Sequence, residues 1–365
     1  MAHLVAIDLP GGQQFVDALR YEWDAGNAVL PIDRRLPPHA RNALLDAMAP
    51  DRLVDMDGTH RLSGRGVDKG DALVMATSGA TGTPKGVVLT HDAVRASALA
   101  TSARLAITRD DTWLACLPLA HIGGLAVIAR ALQLDVPLVV HDGFDAERVQ
   151  AAAREGATAV SLVATALQRI DPTLFRVIVL GGSQPPTDRP ANVHSTYGLT
   201  ETGSGVVYDG VPLDGVEIAF APGGEILLRC PMQLRCYRDE STPIDAGGWL
   251  HTGDLGELTD GRLHVQGRAD DLIITGGENV WPEVVEHAIA SHTGVREVAI
   301  IGVADIEWGQ RVVAWVVPTT EPPTLADLRA HILEALPAFC VPKELHIVDS
   351  LPRTSLGKLQ RHLLQ

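Results

Sequence analysis

Short apolar runs alternate with amphipathic stretches through the first half of the chain. Apolar runs at 112–116, 136–140, 158–163 and 176–180 predict strands. Apolar positions at helical spacing predict helices over 124–134 and 145–155, the second with Asp145 near its start. Strands that alternate with helices are typical of a largely parallel sheet covered by helices. We therefore expect a large N-terminal α/β domain with parallel sheets.

The pattern changes after about residue 205, where glycines and turn signals become dense. Short strand-like runs at 216–220, 225–229 and 263–266 predict a small antiparallel or barrel-like subdomain. Further on, 281–292 and 325–336 have helical spacing, and 298–303 and 312–317 are strand-like, which predicts a small α+β C-terminal domain. The charged break at 268–271 separates two apolar runs. We predict an N-terminal domain at 1–268, a hinge at 269–271 and a mobile C-terminal domain at 272–365.

Composition excludes several classes of protein. The formal net charge is −15, from 30 Lys and Arg against 45 Asp and Glu, which argues against nonspecific nucleic-acid binding. The 4 cysteines form no Cys-x-x-Cys pair, and the 14 histidines show no zinc-protease spacing, so we expect a cytoplasmic protein without a structural zinc site. The apolar region 113–140 is interrupted by His121, Arg130 and Asp135, and is expected to be buried core and not a membrane span.

One loop is rich in glycine, hydroxyl side chains and a lysine, and it lies between the apolar run 72–76 and the strand-like run 87–89. Backbone N–H groups of such a loop can surround phosphate oxygens. It differs from the Walker loop, because Lys85 is followed by Gly86 and not by Ser or Thr. The alternative is a flexible surface turn. The candidate phosphate-binding residues are Thr77, Ser78, Gly79, Thr81, Gly82, Thr83 and Lys85.

A second string, Ser195-Thr196-Tyr197-Gly198-Leu199-Thr200-Glu201, contains groups suited to a nucleotide. Tyr197 offers a ring on which a purine can stack, and Thr200 offers a hydroxyl to a phosphate. Glu201 offers the carboxylate oxygen that Mg²⁺ prefers. About fifty residues later, Asp254 follows a glycine turn and can accept both hydroxyls of a ribose. The alternative for each string is a polar turn.

These strings resemble the motifs of the adenylate-forming superfamily, which includes acyl-CoA synthetases, peptide-synthetase adenylation domains and luciferases. The resemblance covers roughly residues 70–362, with Ala80 where the family usually has Thr. It implies ATP, Mg²⁺ bound at Glu201, and coenzyme A. It also implies an active site whose members include Ser195 and Thr196, the adenine neighbour Gly181, the acyl-pocket residue His121, the ribose contact Arg268, the pivot Asp270, the pantetheine-tunnel glycines Gly276 and Gly277, and the catalytic lysine Lys358.

The resemblance further implies two half-reactions, in which a carboxylic acid is adenylated by ATP and the acyl group then passes to a thiol. Similarity to short bacterial members with a Pro-Leu-x-His-Ile-x-Gly string favours o-succinylbenzoate, an acid of menaquinone biosynthesis, as the small-molecule substrate. The small or polar residues Ser161, Thr165 and Ser204 suit a compact aromatic acid, although the sequence shows no obvious arginine for its second carboxylate.

Three alternatives remain open at this point. They are another aryl- or short-chain acyl-CoA ligase, an enzyme that loads a carrier protein, and a non-catalytic nucleotide sensor. The long segment that usually precedes the family's phosphate loop is shorter in this sequence, so a homodimer could cover the pocket.

Overall fold

The chain forms two compact units, a large one and a small one. The structure is a computed structural model that describes residues 2–78, 84–182, 188–353 and 359–364. The large unit comprises Met1–Ala219, Leu227–Thr252 and Leu258–Leu263. The small unit comprises Phe220–Ile226, Gly253–Glu257 and His264–Gln365.

The large unit begins with a seven-stranded sheet in the order β16-β6-β5-β2-β1-β3-β4, in which β16 is the short strand Cys236–Tyr237. Strand β1 pairs in parallel with β2 and β3, whereas β5 and β6 form an antiparallel hairpin around the glycine-rich loop. The elements of this region are β1 (Leu4–Ile7), α1 (Gln13–Asp24), β2 (Ala28–Pro31), α2 (Pro38–Met48), β3 (Arg52–Asp55), β4 (Gly58–Arg61), β5 (Asp71–Ser78), β6 (Pro84–Thr90) and α3 (His91–Arg104).

A second seven-stranded sheet follows in the order β13-β12-β11-β10-β9-β7-β8, and its central pairs are parallel. The prediction of a largely parallel α/β domain is thereby confirmed. The elements are β7 (Trp113–Ala115), α4 (Ile122–Leu134), β8 (Leu138–Val140), α5 (Ala146–Arg154), β9 (Ala159–Leu162), α6 (Ala164–Leu167), β10 (Val177–Leu180), β11 (Val193–Leu199), β12 (Ser204–Tyr208) and β13 (Val211–Pro212).

Alternation along the strands of this second sheet gives it two buried faces. Leu114, Val160 and Ile178 pack with Val149 of α5 in one apolar cluster. The helix α4 contacts β7 and β9, and Trp113 of β7 is fully buried. The apolar region 113–140 is therefore protein core, as predicted. Within the described residues, no helix combines the length and the apolar character needed to cross a membrane.

The glycine-rich region after residue 205 contains a four-stranded sheet in the order β14-β15-β17-β18. Its residues fall partly in the large unit and partly in the small unit. The strands here are β14 (Glu217–Phe220), β15 (Glu225–Arg229), β16 (Cys236–Tyr237), which joins the first sheet, β17 (Leu250–Thr259) and β18 (Arg262–Arg268).

The remaining residues form an α+β unit, as predicted. Its five-stranded sheet contains the path β20-β19-β22-β21, with β23 paired in parallel to β22. The elements are β19 (Ile273–Thr275), β20 (Glu278–Val280), α7 (Pro282–Ala290), β21 (Val295–Asp305), β22 (Gly309–Pro318), α8 (Leu325–Leu333) and β23 (Glu344–Ile347). The residues Ala269–Asp271, predicted as the hinge, form a 3₁₀ helix, and their role as a pivot stays a prediction.

Capping residues and prolines explain the helix ends better than the apolar pattern does. Asp145 caps α5 by accepting a hydrogen bond from the Arg148 N–H at 2.9 Å. The last helix, α8, ends at Leu333 and not at 336 as predicted. Pro337 disfavours helical conformation in Leu336, the residue before it, so the helix cannot extend to the predicted end.

A partly buried arginine, Arg361, connects four segments of the small unit. Its Nη2 lies 2.8 Å from Glu286 and 3.2 Å from Glu283, its Nη1 lies 3.2 Å from Asp271, and its Nε donates to the carbonyl of Ile300. Burial raises the pKa of the Glu286 carboxyl, although Arg361 opposes that shift. Three carboxylates thus depend on a single guanidinium for charge compensation.

Replacement Arg361→Met is expected to lower the free energy of unfolding by about 2 kcal/mol, because it leaves three partly buried carboxylates without their shared cation. The matched control is Arg353→Met, whose partner Glu297 lies 2.7 Å away in a pair that is about 40% exposed on each side. We expect less than about 1 kcal/mol for that change. Urea denaturation of both variants measures the difference, and equal losses would contradict this account of Arg361.

Candidate active site

The glycine-rich loop connects β5 to β6. Cα partners across the hairpin include Thr77 with Lys85 and Ser78 with Pro84, and the Thr77 hydroxyl lies 3.4 Å from the Lys85 carbonyl. The predicted strand at 87–89 is part of β6. The candidate residues Gly79, Thr81, Gly82 and Thr83 lie outside the described residues.

The second string forms most of β11 and the first two residues of a 3₁₀ helix at Thr200–Thr202, and β12 begins shortly after it at Ser204. A Cβ on Gly198 would lie 2.3 Å from the carbonyl oxygen of Ser204, so glycine is required where the two strands approach. The buried Thr202 hydroxyl accepts a hydrogen bond from the Leu199 N–H at 2.9 Å. This tight turn fixes the backbone at the two candidate residues Thr200 and Glu201.

Tyr237 lies outside the motifs recognised in the sequence. It contacts Lys85 at the glycine-rich loop and Glu201 of the second string. The Tyr237 hydroxyl donates a hydrogen bond to Glu201 Oε1 at 3.0 Å. The ammonium of Lys85 lies 4.8 Å from the centroid of the Tyr237 ring. The only sequence signal was a two-residue apolar run, Cys236–Tyr237, which is too short to be recognised as a strand.

The start of the second string is held by an acidic residue on the following turn. Asp209 accepts hydrogen bonds from the backbone N–H and the hydroxyl of Ser195, from Arg189 and from His194. Burial raises the pKa of Asp209, but the hydrogen bonds from His194 and Arg189 outweigh burial and lower it. The Ser195 hydroxyl is therefore engaged within the protein, and its predicted role toward the nucleotide stays a prediction.

Two further candidates, Gly181 and Thr196, lie side by side. The Thr196 hydroxyl donates to the carbonyl of Leu180 at 3.2 Å. A Cβ on Gly181 would lie 3.2 Å from that hydroxyl oxygen. The structure thus brings the end of β10 and the second string together, as expected for two walls of one nucleotide pocket.

The small unit contains four of the remaining candidates. Asp254 accepts a hydrogen bond from Arg268 at 3.1 Å, so the two residues predicted to contact a ribose form an ion pair. Gly276 and Gly277 have φ values of 60° and 86° and form the turn between β19 and β20. A two-residue turn with both φ values positive favours glycine.

Two further candidates in this part of the chain were assigned by resemblance, and the structure describes one of them. Asp270 is exposed on the 3₁₀ helix Ala269–Asp271. Lys358 lies outside the described residues.

His121 lies beside a carboxylate and a guanidinium that the sequence did not connect with it. Its Nε2 is 3.4 Å from Asp33 and 3.3 Å from Arg35. Arg35 also binds both oxygens of Asp33 at 2.8 Å. A protonated Nε2 can donate to Asp33, whereas an unprotonated Nε2 can accept from Arg35. Asp33 and Arg35 therefore form a polar wall beside His121.

A buried arginine lies on the α4 face of the second sheet. Arg130 is only 2% exposed, and its Nη2 donates to the Ser204 hydroxyl at 2.6 Å. Its Nε and Nη1 are buried and have no hydrogen-bond partner among the described residues, and the same holds for the hydroxyl of Ser161. Buried donors normally have partners, so this set of groups points to a polar ligand. The signal in the sequence was an arginine within an otherwise apolar run.

Comparison with known families agrees with this arrangement. A family model described as AMP-binding enzyme matches residues 64–222, and one described as AMP-binding enzyme C-terminal domain matches residues 284–358. The chain belongs to the family of AMP-binding enzymes, which confirms the resemblance drawn from the motifs.

Individual relatives belong to a narrower class within this family, the 2-succinylbenzoate–CoA ligases. A probable 2-succinylbenzoate–CoA ligase of Mycobacterium tuberculosis is 41% identical over 329 residues, which are 82% of this chain and 85% of that protein. The o-succinylbenzoate CoA synthetase (MenE) of Bacillus subtilis in complex with the acyl-adenylate intermediate OSB-AMP superposes with a TM-score of 0.90 at 28% identity, over 100% of this chain and 88% of that one. The same enzyme with ATP and magnesium ion gives a TM-score of 0.88 at 28% identity, over 99% and 89%.

The carboxylate of Asp33 gives a test of the wall at His121. Burial raises the pKa of Asp33, but hydrogen bonds from Arg35 and His121 outweigh burial and hold the pKa well below its usual range. Ionised Asp33 therefore stabilises the fold above its unfolded pKa of about 3.9, and this contribution is lost as the pH falls through the folded pKa.

Replacement Asp33→Asn is expected to cost about 2 kcal/mol of unfolding free energy near neutral pH, the usual size for hydrogen bonds to a charged group. The difference from the unmodified chain should stay constant down to about pH 5 and shrink below about pH 4. Urea denaturation across this pH range measures it, with the exposed Asp57→Asn as control. If the difference in unfolding free energy grows below about pH 5, the stabilising role of ionised Asp33 is contradicted.

Proposed function

We propose that this chain is an AMP-forming 2-succinylbenzoate–CoA ligase, an enzyme of menaquinone biosynthesis. The family, the relatives and the structural neighbours support an adenylate-forming CoA ligase. The single observation that supports this particular acid is Arg130, whose two unpaired buried donors suit a carboxylate that takes no part in the reaction.

In the first half-reaction, an oxygen of the substrate carboxylate attacks the α-phosphorus of ATP. The new O–P bond replaces the bond to pyrophosphate, which leaves with its electron pair, and the product is the acyl adenylate. A carboxylate is already a nucleophile, so positioning and charge stabilisation provide most of the catalysis. The loop at 77–86 and Lys85 hold the outer phosphates, Thr200 contacts a phosphate, and Lys358 stabilises charge at the α-phosphate.

The residues at Glu201 fit a magnesium ion that is bound together with the nucleotide. No group of three or more His, Cys, Asp or Glu side chains that could hold a metal ion occurs in the described part of the chain. Mg²⁺ commonly uses one or two carboxylates and completes its shell with substrate phosphates and water, which suits Glu201. When bound, the ion would neutralise phosphate charge and orient the phosphate oxygens.

In the second half-reaction, the thiol of coenzyme A attacks the acyl carbon of the adenylate. The new C–S bond replaces the bond to AMP, which leaves, and the product is the thioester. We propose that Asp270 is the pivot of a domain rotation between the half-reactions. Gly276 and Gly277 then line the path of the pantetheine arm, where their lack of side chains leaves room.

We propose that the groups around Arg130 give the acid specificity. The Ser204 hydroxyl binds the guanidinium, and the Trp113 ring lies 5.7 Å from the Arg130 Cζ. A compact aromatic acid with a second carboxylate satisfies these groups. An alkyl chain would leave them buried and unpaired, which costs free energy.

We also propose a cytoplasmic location. The 4 cysteines are free and buried, and a reducing compartment keeps thiols in this form. The homodimer stays a prediction, which light scattering would test.

The proposed function is tested by pyrophosphate release with ATP, Mg²⁺, coenzyme A and a panel of carboxylic acids. We expect turnover with 2-succinylbenzoate and its CoA thioester as the product identified by mass spectrometry. Turnover only with other acids would overturn the choice of substrate, and transfer only to a carrier protein would overturn the choice of acceptor. Failure to release pyrophosphate with any acid would overturn the enzyme assignment.

Replacement Arg130→Lys should raise the KM for 2-succinylbenzoate by roughly 10- to 100-fold, because the ammonium lacks the planar fork that binds a carboxylate. For an analogue without the second carboxylate, the KM of Arg130→Lys should differ little from that of the unmodified chain. The control is Arg148→Lys on the exposed face of α5. Equal losses for the acid and its analogue would show that Arg130 only supports the fold.

The two half-reactions should separate by mutation. Lys358→Ala is expected to abolish adenylate formation and to spare thioester formation from supplied acyl adenylate. Asp270→Pro should do the reverse, because a fixed φ impairs rotation at the pivot. Single-turnover assays of each half-reaction measure this, and equal damage to both halves by Lys358→Ala would exclude the two-conformation mechanism.

A further inference from the structure

We propose that Tyr237 is a positioning residue that holds Glu201 for the magnesium–nucleotide complex and keeps Lys85 from pairing with it. This inference rests on the proposed function, since both neighbours are candidate ligands of magnesium-bound ATP. It assigns a role to a residue that lies outside every motif of the sequence.

The position of Tyr237 is fixed by the backbone on both sides. Tyr237 pairs with Val87 of β6 in the short strand β16, two residues beyond Lys85. The next residue, Arg238, donates its backbone N–H to the Gly86 carbonyl at 2.7 Å. On the other side, Arg235 binds both oxygens of the buried Asp71 at 2.9 Å.

The hydroxyl and the ring of Tyr237 serve different partners. The hydroxyl engages Oε1 of Glu201, and the structure records no hydrogen bond to Oε2 from the described residues. The backbone carbonyl of Glu201 also accepts from the Leu234 N–H at 2.7 Å, so the residue is held at both ends. A carboxylate with a fixed orientation loses less entropy when it binds a metal ion than a freely rotating one does.

The ring of Tyr237 contacts the ammonium of Lys85. Lys85 has a long flexible stem, and an ammonium within about 6 Å of a tyrosine centroid is attracted to the face of the ring. Among the described residues, the structure records the contact of Lys85 with the Tyr237 ring and no ion pair between Lys85 and Glu201. A neutral side chain between a cation and an anion therefore leaves each charge available to the substrate, the cation for phosphate and the anion for metal.

The test separates the two contacts with two variants. Tyr237→Phe keeps the ring and removes the hydroxyl, so the Mg²⁺ concentration for half-maximal pyrophosphate release should rise roughly tenfold, as for one lost hydrogen bond to a charge. Tyr237→Leu removes both contacts and should in addition raise the KM for ATP. The matched control is Tyr21→Phe, since Tyr21 is 69% exposed on α1.

A binding measurement provides a readout that does not depend on turnover. Calorimetric titration with Mn²⁺ in the presence of ATP should show roughly tenfold weaker metal binding for Tyr237→Phe. ATP binding in excess chelator should not change. Variants are compared at a temperature where their circular dichroism matches that of the unmodified chain.

The outcomes distinguish this inference from the proposed function. Unchanged metal affinity in Tyr237→Phe, or an equal loss of ATP affinity in chelator, would overturn the inference even if the unmodified chain is an active ligase. Absence of turnover in the unmodified chain would overturn the proposed function, and the metal titration would still decide the role of Tyr237.

Discussion

The arrangement of the site depends on a buried arginine at the edge of the first sheet. Arg238 donates through Nε to the Met48 carbonyl at 3.0 Å and through Nη1 to the Gly66 carbonyl at 2.8 Å. Its Nη2 also contacts the carbonyls of Ala49 and Arg65. These contacts hold the end of β16 against the segments at 48–49 and 65–66, and the backbone N–H of Arg238 donates to the Gly86 carbonyl of β6. Tyr237 is thereby placed between the two motifs. The adjacent Gly86 cannot hold a side chain, because a Cβ there would lie 2.5 Å from the sulfur of Met48.

Two charged side chains of the large unit, Glu201 and Arg130, have only part of their hydrogen-bonding capacity engaged by described residues. Glu201 has one oxygen engaged by Tyr237, and Arg130 has one of its three nitrogens engaged by Ser204. Each group is oriented by a neighbour but retains the capacity to bind a further partner. Unpaired donors that are buried, such as those of Arg130, are costly for the fold and are characteristic of functional sites. The requirements of binding explain why they persist in this core.

The sequence predicted the elements with strong periodicity. The parallel strands of the second sheet and the strand after the glycine-rich loop depend on local spacing, and so do the motifs that showed the family. The contacts of Tyr237 with Glu201, and of Arg35 with His121, join residues 36 and 86 positions apart. No local pattern encodes such distances. Arg130 looked like an interruption of an apolar run, because its unpaired donors become visible only when α4 packs on the sheet.

The most direct test of the central claim is a crystal structure of the chain with 2-succinylbenzoyl adenylate. The account predicts that the free carboxylate accepts hydrogen bonds from Nε or Nη1 of Arg130, within about 3.2 Å. It also predicts that Ser204 stays bound to Nη2. A carboxylate bound elsewhere, with Arg130 still unpaired, would contradict the account of substrate recognition.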